Sequence, residues 1–156
     1  MKFEQRSTSG CELVAELARR FGEVRLRVTG ASMLPAIWPG DVLCVRYCAI
    51  PDLQRGQILL YRRHENLVAH RITRVHRDSV ITRGDSVHHD DPPVVESEIV
   101  GQVVSVLRRG HPVSERLSPL RRIGSCILRR SDICVRAILL MAGYGRQSDN
   151  EEISWA

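Results

Sequence analysis

The residue best placed for chemistry is Ser32, which lies in the sequence GASMLP at residues 30–35. Apolar residues alternate with others from Val24 to Val28, and a turn sequence, PGD, follows at residues 39–41. This pattern predicts a strand that breaks into a tight turn at the serine. Such a turn exposes the hydroxyl and points backbone N–H groups at the group it attacks, which suits a nucleophile with a base within reach.

Histidine is the expected base, because the chain has a single lysine, Lys2, close to its N-terminus. A serine–lysine pair is therefore nearly excluded. Of the six histidines, His70 lies inside a run with strand character, residues 67–76, where the sheet would fix its ring. The alternative for a lone histidine is a surface position on an edge strand.

A carboxylate to orient the histidine is available in the sequence TRGDSVHHDDP at residues 82–92, which contains Asp85, Asp90 and Asp91. A carboxylate that accepts the imidazole N–H fixes its tautomer and stabilises the imidazolium formed in proton transfer. Asp85 has the alternative role of an Asx turn. A metal site at residues 88–91 (HHDD) is disfavoured, because adjacent histidines on an extended chain point in opposite directions. We expect no metal or other cofactor.

These segments resemble the type I signal peptidases and, more widely, the serine peptidases that share their β-fold with the self-cleaving domains of SOS repressors. Residues 30–35 are similar to the nucleophile segment of that family. Residues 39–43 (PGDVL) and 56–61 (GQILLY) are similar to the turn and strands that follow it. The resemblance runs in collinear order over about half of the chain.

The segment around the base is similar to one subtype, the endoplasmic-reticulum and archaeal signal peptidases, which have histidine where most bacterial members have lysine. The similar sequences are VAHRI at residues 68–72 and RGD at residues 83–85, followed by the aspartates at residues 90–91. The resemblance implies the following roles: nucleophile, Ser32; general base, His70; third member, Asp91; supporting or alternative carboxylate, Asp85.

The chain departs from the family pattern near the nucleophile and after the base. Many members have a serine that assists the oxyanion hole two residues before the nucleophile, where this chain has Gly30. The resemblance therefore implies an oxyanion hole of backbone N–H groups, chiefly that of Ser32, supported by Gly30 and Met33. Ser86 and Val87 replace the usual asparagines. The membrane anchor typical of signal peptidases is not expected, since no run of about 18 apolar residues is present.

The elements that must position these residues are mostly strands. Residues 11–21 have helical spacing, with an apolar face of Leu13, Val14, Leu17, Ala18 and Phe21, and Gly22 ends the helix. Six β-branched or aliphatic segments bounded by turn residues follow. They predict a mainly β fold, a small antiparallel barrel or sandwich. The predicted strands are residues 23–29, 42–47, 57–62, 67–76, 79–83 and 98–107.

The C-terminal third has a different character. Between residues 107 and 146 there are nine arginines and two acidic residues, in a chain whose net charge is +5. Residues 115–130 and 132–142 have the spacing of amphipathic helices, which we expect to dock on the sheet, with a membrane surface as the alternative. A solvated arginine-rich surface explains the charge equally well, and nucleic acid is not the expected partner.

The length of 156 residues fits one domain, and five cysteines without a regular spacing fit a reducing compartment. We divide the chain into a helical segment (1–22), a catalytic β-domain (23–110), a basic helical extension (111–146) and a disordered tail (147–156). The expected function is a soluble, cytoplasmic serine endopeptidase that cleaves a leader or signal peptide, with peripheral membrane contact left open. The alternatives are a self-cleaving or single-partner processing domain, and a non-catalytic basic binding module.

Overall fold

The computed structural model describes residues 10–113 of the chain. Here the helix α1 (Gly10–Phe21) precedes the strands, and short 3-10 turns lie at Ile50–Asp52 and Glu96–Glu98. The strands are β1 (Glu23–Arg27), β2 (Val42–Arg46), β3 (Ile58–Arg63), β4 (Asn66–Val75), β5 (Ser79–Arg83), β6 (Val94–Val95), β7 (Ile99–Arg108) and β8 (His111–Val113). The predicted helices at 115–130 and 132–142 and the tail at 147–156 lie outside the described residues.

The strands form one sheet in which every pair is antiparallel. The order is β1-β2-β7-β3-β4-β5-β6, and β8 pairs with the end of β7. Among the described residues this order ends at β1 and β6 and does not close into a barrel. The expectation of a mainly β, antiparallel fold with an N-terminal helix is confirmed.

All six predicted strands are present, with ends within two residues of the prediction. The two short strands β6 and β8 were not predicted, because segments this short show no periodicity. β8 forms a hairpin with β7 through Arg109 and Gly110, whose φ angles of 51° and 83° are both positive, as a type I′ turn needs. The sheet therefore continues to Val113, three residues past the predicted boundary at residue 110.

The central strand β3 is buried on both faces. Ile58 and Leu60 belong to one apolar cluster, which α1 covers, and Leu59 and Tyr61 belong to a second cluster on the opposite face. A strand buried on both sides has a continuous apolar run instead of alternation, which explains the sequence ILLY. The same strand thus supports both halves of the core.

The helix α1 contacts the sheet through its small residues. Ala15 and Ala18 are buried and Val14 packs beside them, whereas Leu13, Leu17 and Phe21 are exposed. The predicted apolar face was therefore wrong in part, because alanines let the helix approach the sheet more closely than leucines would. Gly22 ends the helix as predicted, with a φ of 77° and its N–H donating to the Ala18 carbonyl.

Gly101 in β7 lies where β2 approaches most closely. A Cβ at this position would lie 2.7 Å from the carbonyl carbon of Arg46 and 3.0 Å from Val45 Cγ1. We expect Gly101→Ala to lower the free energy of unfolding by about 2 kcal/mol or more, because the two strands must separate. Urea-induced unfolding measures this. Gly10→Ala is the control, since a Cβ there meets nothing within 4 Å. Equal unfolding midpoints for both variants would contradict the prediction.

Candidate active site

Ser32 lies in the turn between β1 and β2. The ladder continues past β1 at Val28, whose N–H donates to the Asp41 carbonyl (2.8 Å) and whose carbonyl accepts from the Gly40 N–H (2.7 Å). Four apolar side chains inside the turn are buried, which fixes its path against the core: Met33, Leu34, Ala36 and Ile37. Ser32 itself is partly exposed. The predicted setting, a serine where a strand breaks into a turn, is present.

A buried ion pair fastens this turn to β7. Asp41 is only 1% exposed and accepts hydrogen bonds from Arg108 Nε (2.9 Å) and Nη2 (2.7 Å). Its carboxylate also accepts from the backbone N–H of Trp38 (2.8 Å). A bidentate arginine fixes the carboxylate in direction as well as in distance. The segment that carries Ser32 is thereby connected to the middle of the sheet.

His70, in β4, contacts both Ser32 and Asp91. Its Nε2 lies 2.8 Å from Ser32 Oγ, and its Nδ1 lies 2.7 Å from Asp91 Oδ2. An ionised carboxylate can only accept, so Nδ1 carries a proton and Nε2 of the neutral ring accepts from the serine hydroxyl. A hydroxyl, an imidazole and a carboxylate therefore form one continuous chain of hydrogen bonds, in the order that proton transfer from a nucleophile requires.

The three carboxylates after β5 have separate partners. Asp91 faces the histidine, whereas both oxygens of Asp85 accept from Arg71, from Nε and Nη2 at 2.8 Å each. Asp90 pairs with Arg74 at 2.6 Å. Asp85, predicted as a supporting or alternative carboxylate, thus contacts Arg71, whereas Asp91 contacts His70. Asp85 is buried beside Arg71 and positions the loop.

The loop after β5 also closes directly on the nucleophile segment. Ser86 donates to the Ser32 carbonyl from its N–H (3.0 Å) and from its hydroxyl (2.9 Å). Gly84 permits this approach, because a Cβ there would lie 2.7 Å from the same carbonyl and 3.1 Å from His70 Nε2. Ser32 is therefore held from both sides, by its own turn and by this loop.

Asp91 is held as a carboxylate although it is partly buried. Burial raises its pKa and is the largest single effect, but hydrogen bonds from His70 and Thr82, the charge of His70 and the hydroxyl of Tyr61 together lower it below 3.8. Thr82 Oγ1 lies 2.7 Å from Asp91 Oδ2. The Asp91 backbone N–H donates to the Thr82 carbonyl (2.8 Å). The ionised form that must face His70 is thus the stable one near neutral pH.

The predicted oxyanion group lies at the same turn. Among the described residues, no acceptor is hydrogen-bonded to the N–H of Ser32 or of Met33. A Cβ at Gly30 would meet nothing within 4 Å, so the space beside the serine on this side is unfilled. Met33 points its side chain into the core, so only its backbone remains available.

A cleft of about 520 Å³ leads to Ser32 and His70. One wall is the end of β1 and the residues after it, and the other is the first half of β4. β4 pairs with β3 along residues 66–71 and with β5 only from Arg71 onward. The edge of residues 66–70 that faces away from β3 is therefore unpaired among the described residues, and it borders the cleft.

The side chains of the sequence HHDD at residues 88–91 do not form a cluster of metal ligands. His88 and His89 are both exposed, and each of the two aspartates that follow is bound to another side chain. Within residues 10–113 there is no group of three His, Cys, Asp or Glu side chains that could hold a metal ion. No helix in that part of the chain is both long and apolar enough to cross a membrane.

Comparison with known proteins identifies no relative: the chain matches no protein-family model and no curated protein. The site must therefore be interpreted from its own residues. The structure brings together Ser32, His70 and Asp91, and it places Asp85 on Arg71.

Sequence reasoning missed the residues that support the site. Thr82 is completely buried in β5, Arg71 binds Asp85 of the following loop, and Ser86 of that loop binds the Ser32 carbonyl. A threonine at an inward position of a strand, and an arginine directly after the candidate base, were the available signals. Neither identifies a partner, because each depends on the register between strands.

We expect Asp85→Asn to destabilise the fold by about 3 kcal/mol, because it removes the carboxylate charge that both Arg71 nitrogens contact in a largely buried site. Asp90→Asn is the matched control in the same loop. Its partners Arg74 and Arg83 are 62% and 31% exposed and so well hydrated, and the loss there stays below about 1 kcal/mol. Chemical denaturation of the two variants measures the difference, and equal losses would show that the Asp85 pair does not hold the loop.

The lowered pKa of Asp91 predicts a pH-dependent contribution to stability. A carboxylate with a lower pKa in the folded state stabilises the fold above its unfolded pKa, near 3.8, and loses this contribution as the pH falls through the folded value. The difference in unfolding free energy between wild type and Asp91→Asn should therefore be constant near neutral pH and shrink in acid. Asp78→Asn, at an exposed turn residue, is the control. A difference that does not vary with pH would contradict the prediction.

Proposed function

We propose that this protein is a serine endopeptidase with a fold of the signal-peptidase type, and that its substrate is a leader or signal peptide. The observation that carries the proposal is the chain Ser32 Oγ–His70 Nε2–His70 Nδ1–Asp91 Oδ2, with distances of 2.8 and 2.7 Å. It lies at the end of a cleft lined by the edge of β4 that has no partner in the described part of the chain. The resemblance to the histidine subtype of the family supports the same assignment.

The reaction follows from the protonation states. Ser32 Oγ attacks the scissile carbonyl carbon while its proton moves to His70 Nε2, and Asp91 stabilises the imidazolium. The tetrahedral intermediate collapses as the C–N bond breaks, and His70 returns the proton to the leaving amine. Water then attacks the acyl-serine, with His70 again taking and returning a proton, and releases the acid product.

Charge on the carbonyl oxygen needs donors that are already in place. The N–H of Ser32, and that of Met33 beside it, are the donors that the turn offers. Their direction is fixed by the buried turn, so no reorganisation is needed when the oxyanion forms. Many members of the similar family have a serine at the position of Gly30. The glycine has no side chain there, which leaves room for the substrate carbonyl.

The shape of the cleft favours an extended peptide. At residues 66–70 of β4 the backbone edge away from β3 has no strand partner within residues 10–113, so it offers pairing to a peptide laid along it, a mode that supplies affinity through the main chain. Side chains that line the cleft near Ser32 are mainly apolar and include Val28, Leu67 and Ala69. We therefore propose a substrate with apolar or small side chains close to the cleaved bond, as leader peptides have.

Ser32→Ala and His70→Ala should each abolish cleavage, whereas Lys2→Arg should retain it. Loss of a nucleophile or base in such a unit lowers kcat by about 10⁶-fold, and Asp91→Asn should lower it by about 10⁴-fold. The measurement is mass spectrometry of a library of leader peptides, with an organophosphonate probe to label the active serine.

Thermal unfolding of each variant provides the folding control. Labelling of wild type at Ser32, lost in Ser32→Ala and reduced in His70→Ala, is the expected result. Cleavage that survives His70→Ala but fails in Lys2→Arg would show that the base is misassigned. Absence of labelling together with salt-dependent nucleic-acid binding would favour the non-catalytic module instead.

A further inference from the structure

Behind Asp91 lies a pair of buried hydroxyl groups that the proposed reaction does not itself use. Thr82 is 0% exposed and Tyr61 is 2% exposed. Thr82 Oγ1 lies 2.7 Å from Asp91 Oδ2 and 3.3 Å from the Tyr61 hydroxyl. Buried hydroxyls seldom lack a partner, so this three-member chain must have a defined arrangement of protons.

The arrangement follows from what each group can donate. Asp91 as a carboxylate only accepts, and Thr82 has a single hydroxyl proton, which must therefore point to Asp91. The Tyr61 hydroxyl lies 3.3 Å from Thr82 Oγ1, and a hydrogen bond from this hydroxyl to Asp91 lowers the pKa of the carboxyl group. Burial, the largest effect, raises the pKa of Tyr61 to about 12, so it remains a protonated donor at neutral pH.

Two donors converge on one carboxylate oxygen. Asp91 Oδ2 accepts from His70 Nδ1 at 2.7 Å and from Thr82 Oγ1 at 2.7 Å. Thr82 also holds the backbone of Asp91 through its carbonyl. The threonine thus fixes the same residue through main chain and side chain, which limits both the position and the rotation of the carboxylate.

We propose that Thr82 and Tyr61 are positioning residues that aim Asp91 at His70, so that the general base keeps the tautomer required to accept the Ser32 proton. This inference rests on the proposed peptidase function. In this proposal neither residue touches the substrate or the reacting atoms, and both act through Asp91. Arg63 completes the support, since its guanidinium lies 5.4 Å from the centre of the Tyr61 ring and donates to the Pro92 carbonyl (3.0 Å), directly after Asp91.

Thr82→Val removes the hydroxyl with little change in shape, and Thr82→Ser restores it. We expect Thr82→Val to lower kcat about tenfold with KM unchanged. A tenfold change corresponds to the lower end of the range of free energies that a hydrogen bond to a charged group contributes. Thr82→Ser should recover most of this loss. Thr73→Val is the matched control, because Thr73 on the neighbouring strand donates only to a backbone carbonyl, that of Ile81.

Measuring kcat of Thr82→Val in the Asp91→Asn variant distinguishes an effect through Asp91 from a general loss of structure. If Thr82 acts through Asp91, adding Thr82→Val to Asp91→Asn should lower kcat no further. A further tenfold loss in the double variant would overturn the proposal, as would full activity of Thr82→Val.

A titration of the Asp91 carboxyl carbon by NMR tests the proposal without any substrate. In the full chain carrying Ser32→Ala, Thr82→Val should raise the pKa of Asp91, and Tyr61→Phe should raise it by a smaller amount, whereas Thr73→Val should not change it. This outcome stands even if no peptide is cleaved, so failure of the peptidase assignment is distinguishable. An unchanged Asp91 titration in both Thr82→Val and Tyr61→Phe would overturn the inference, and Tyr61→Phe decides it if Thr82→Val does not fold.

Discussion

The need to compensate buried carboxylates determines how this site is assembled. An aspartate removed from water requires a cation or several donors, or it destabilises the fold. Asp41 and Asp85 are almost fully buried, and the side chain of Asp91 is 16% exposed. Each of these carboxylates accepts hydrogen bonds from side chains on a strand, and each contact holds a loop of the site in place. The pairs are Asp41 with Arg108, Asp85 with Arg71, and Asp91 with His70 and Thr82.

The pairing of Ser32 with His70 could be proposed from the sequence because both residues stand out by local pattern. A serine at a strand–turn junction and a histidine inside a strand are visible in the sequence without knowledge of pairing. The choice between Asp85 and Asp91 was not decided by spacing. His70 and Arg71 are consecutive in β4, so their side chains point to opposite faces of the sheet. Which aspartate meets which of the two can be decided only once the register between the strands is known.

The fold was predictable to a similar depth. The ends of the long, periodic strands were predicted to within two residues. The strands of two and three residues could not be predicted, because only pairing with a neighbouring strand defines them. The buried face of α1 could not be foreseen, because Leu13, Leu17 and Phe21 are more hydrophobic than the alanines that pack against the sheet. The contribution of Thr82 was also hidden, since a buried threonine and a threonine in a half-exposed strand look the same in a sequence.

Within residues 10–113 the pairing of β4 is incomplete, which bears on what the proposed peptidase would select. Along residues 66–70 one edge is satisfied by β3, while the other edge faces the cleft. Only a polypeptide whose own amide groups are unoccupied matches such an edge. A helix or a strand already within a sheet has none to offer. Under the proposed peptidase function, the cleft would discriminate by folding state before it distinguishes any side chain, so that a segment is exposed to Ser32 while it is still unfolded and is protected once it has folded.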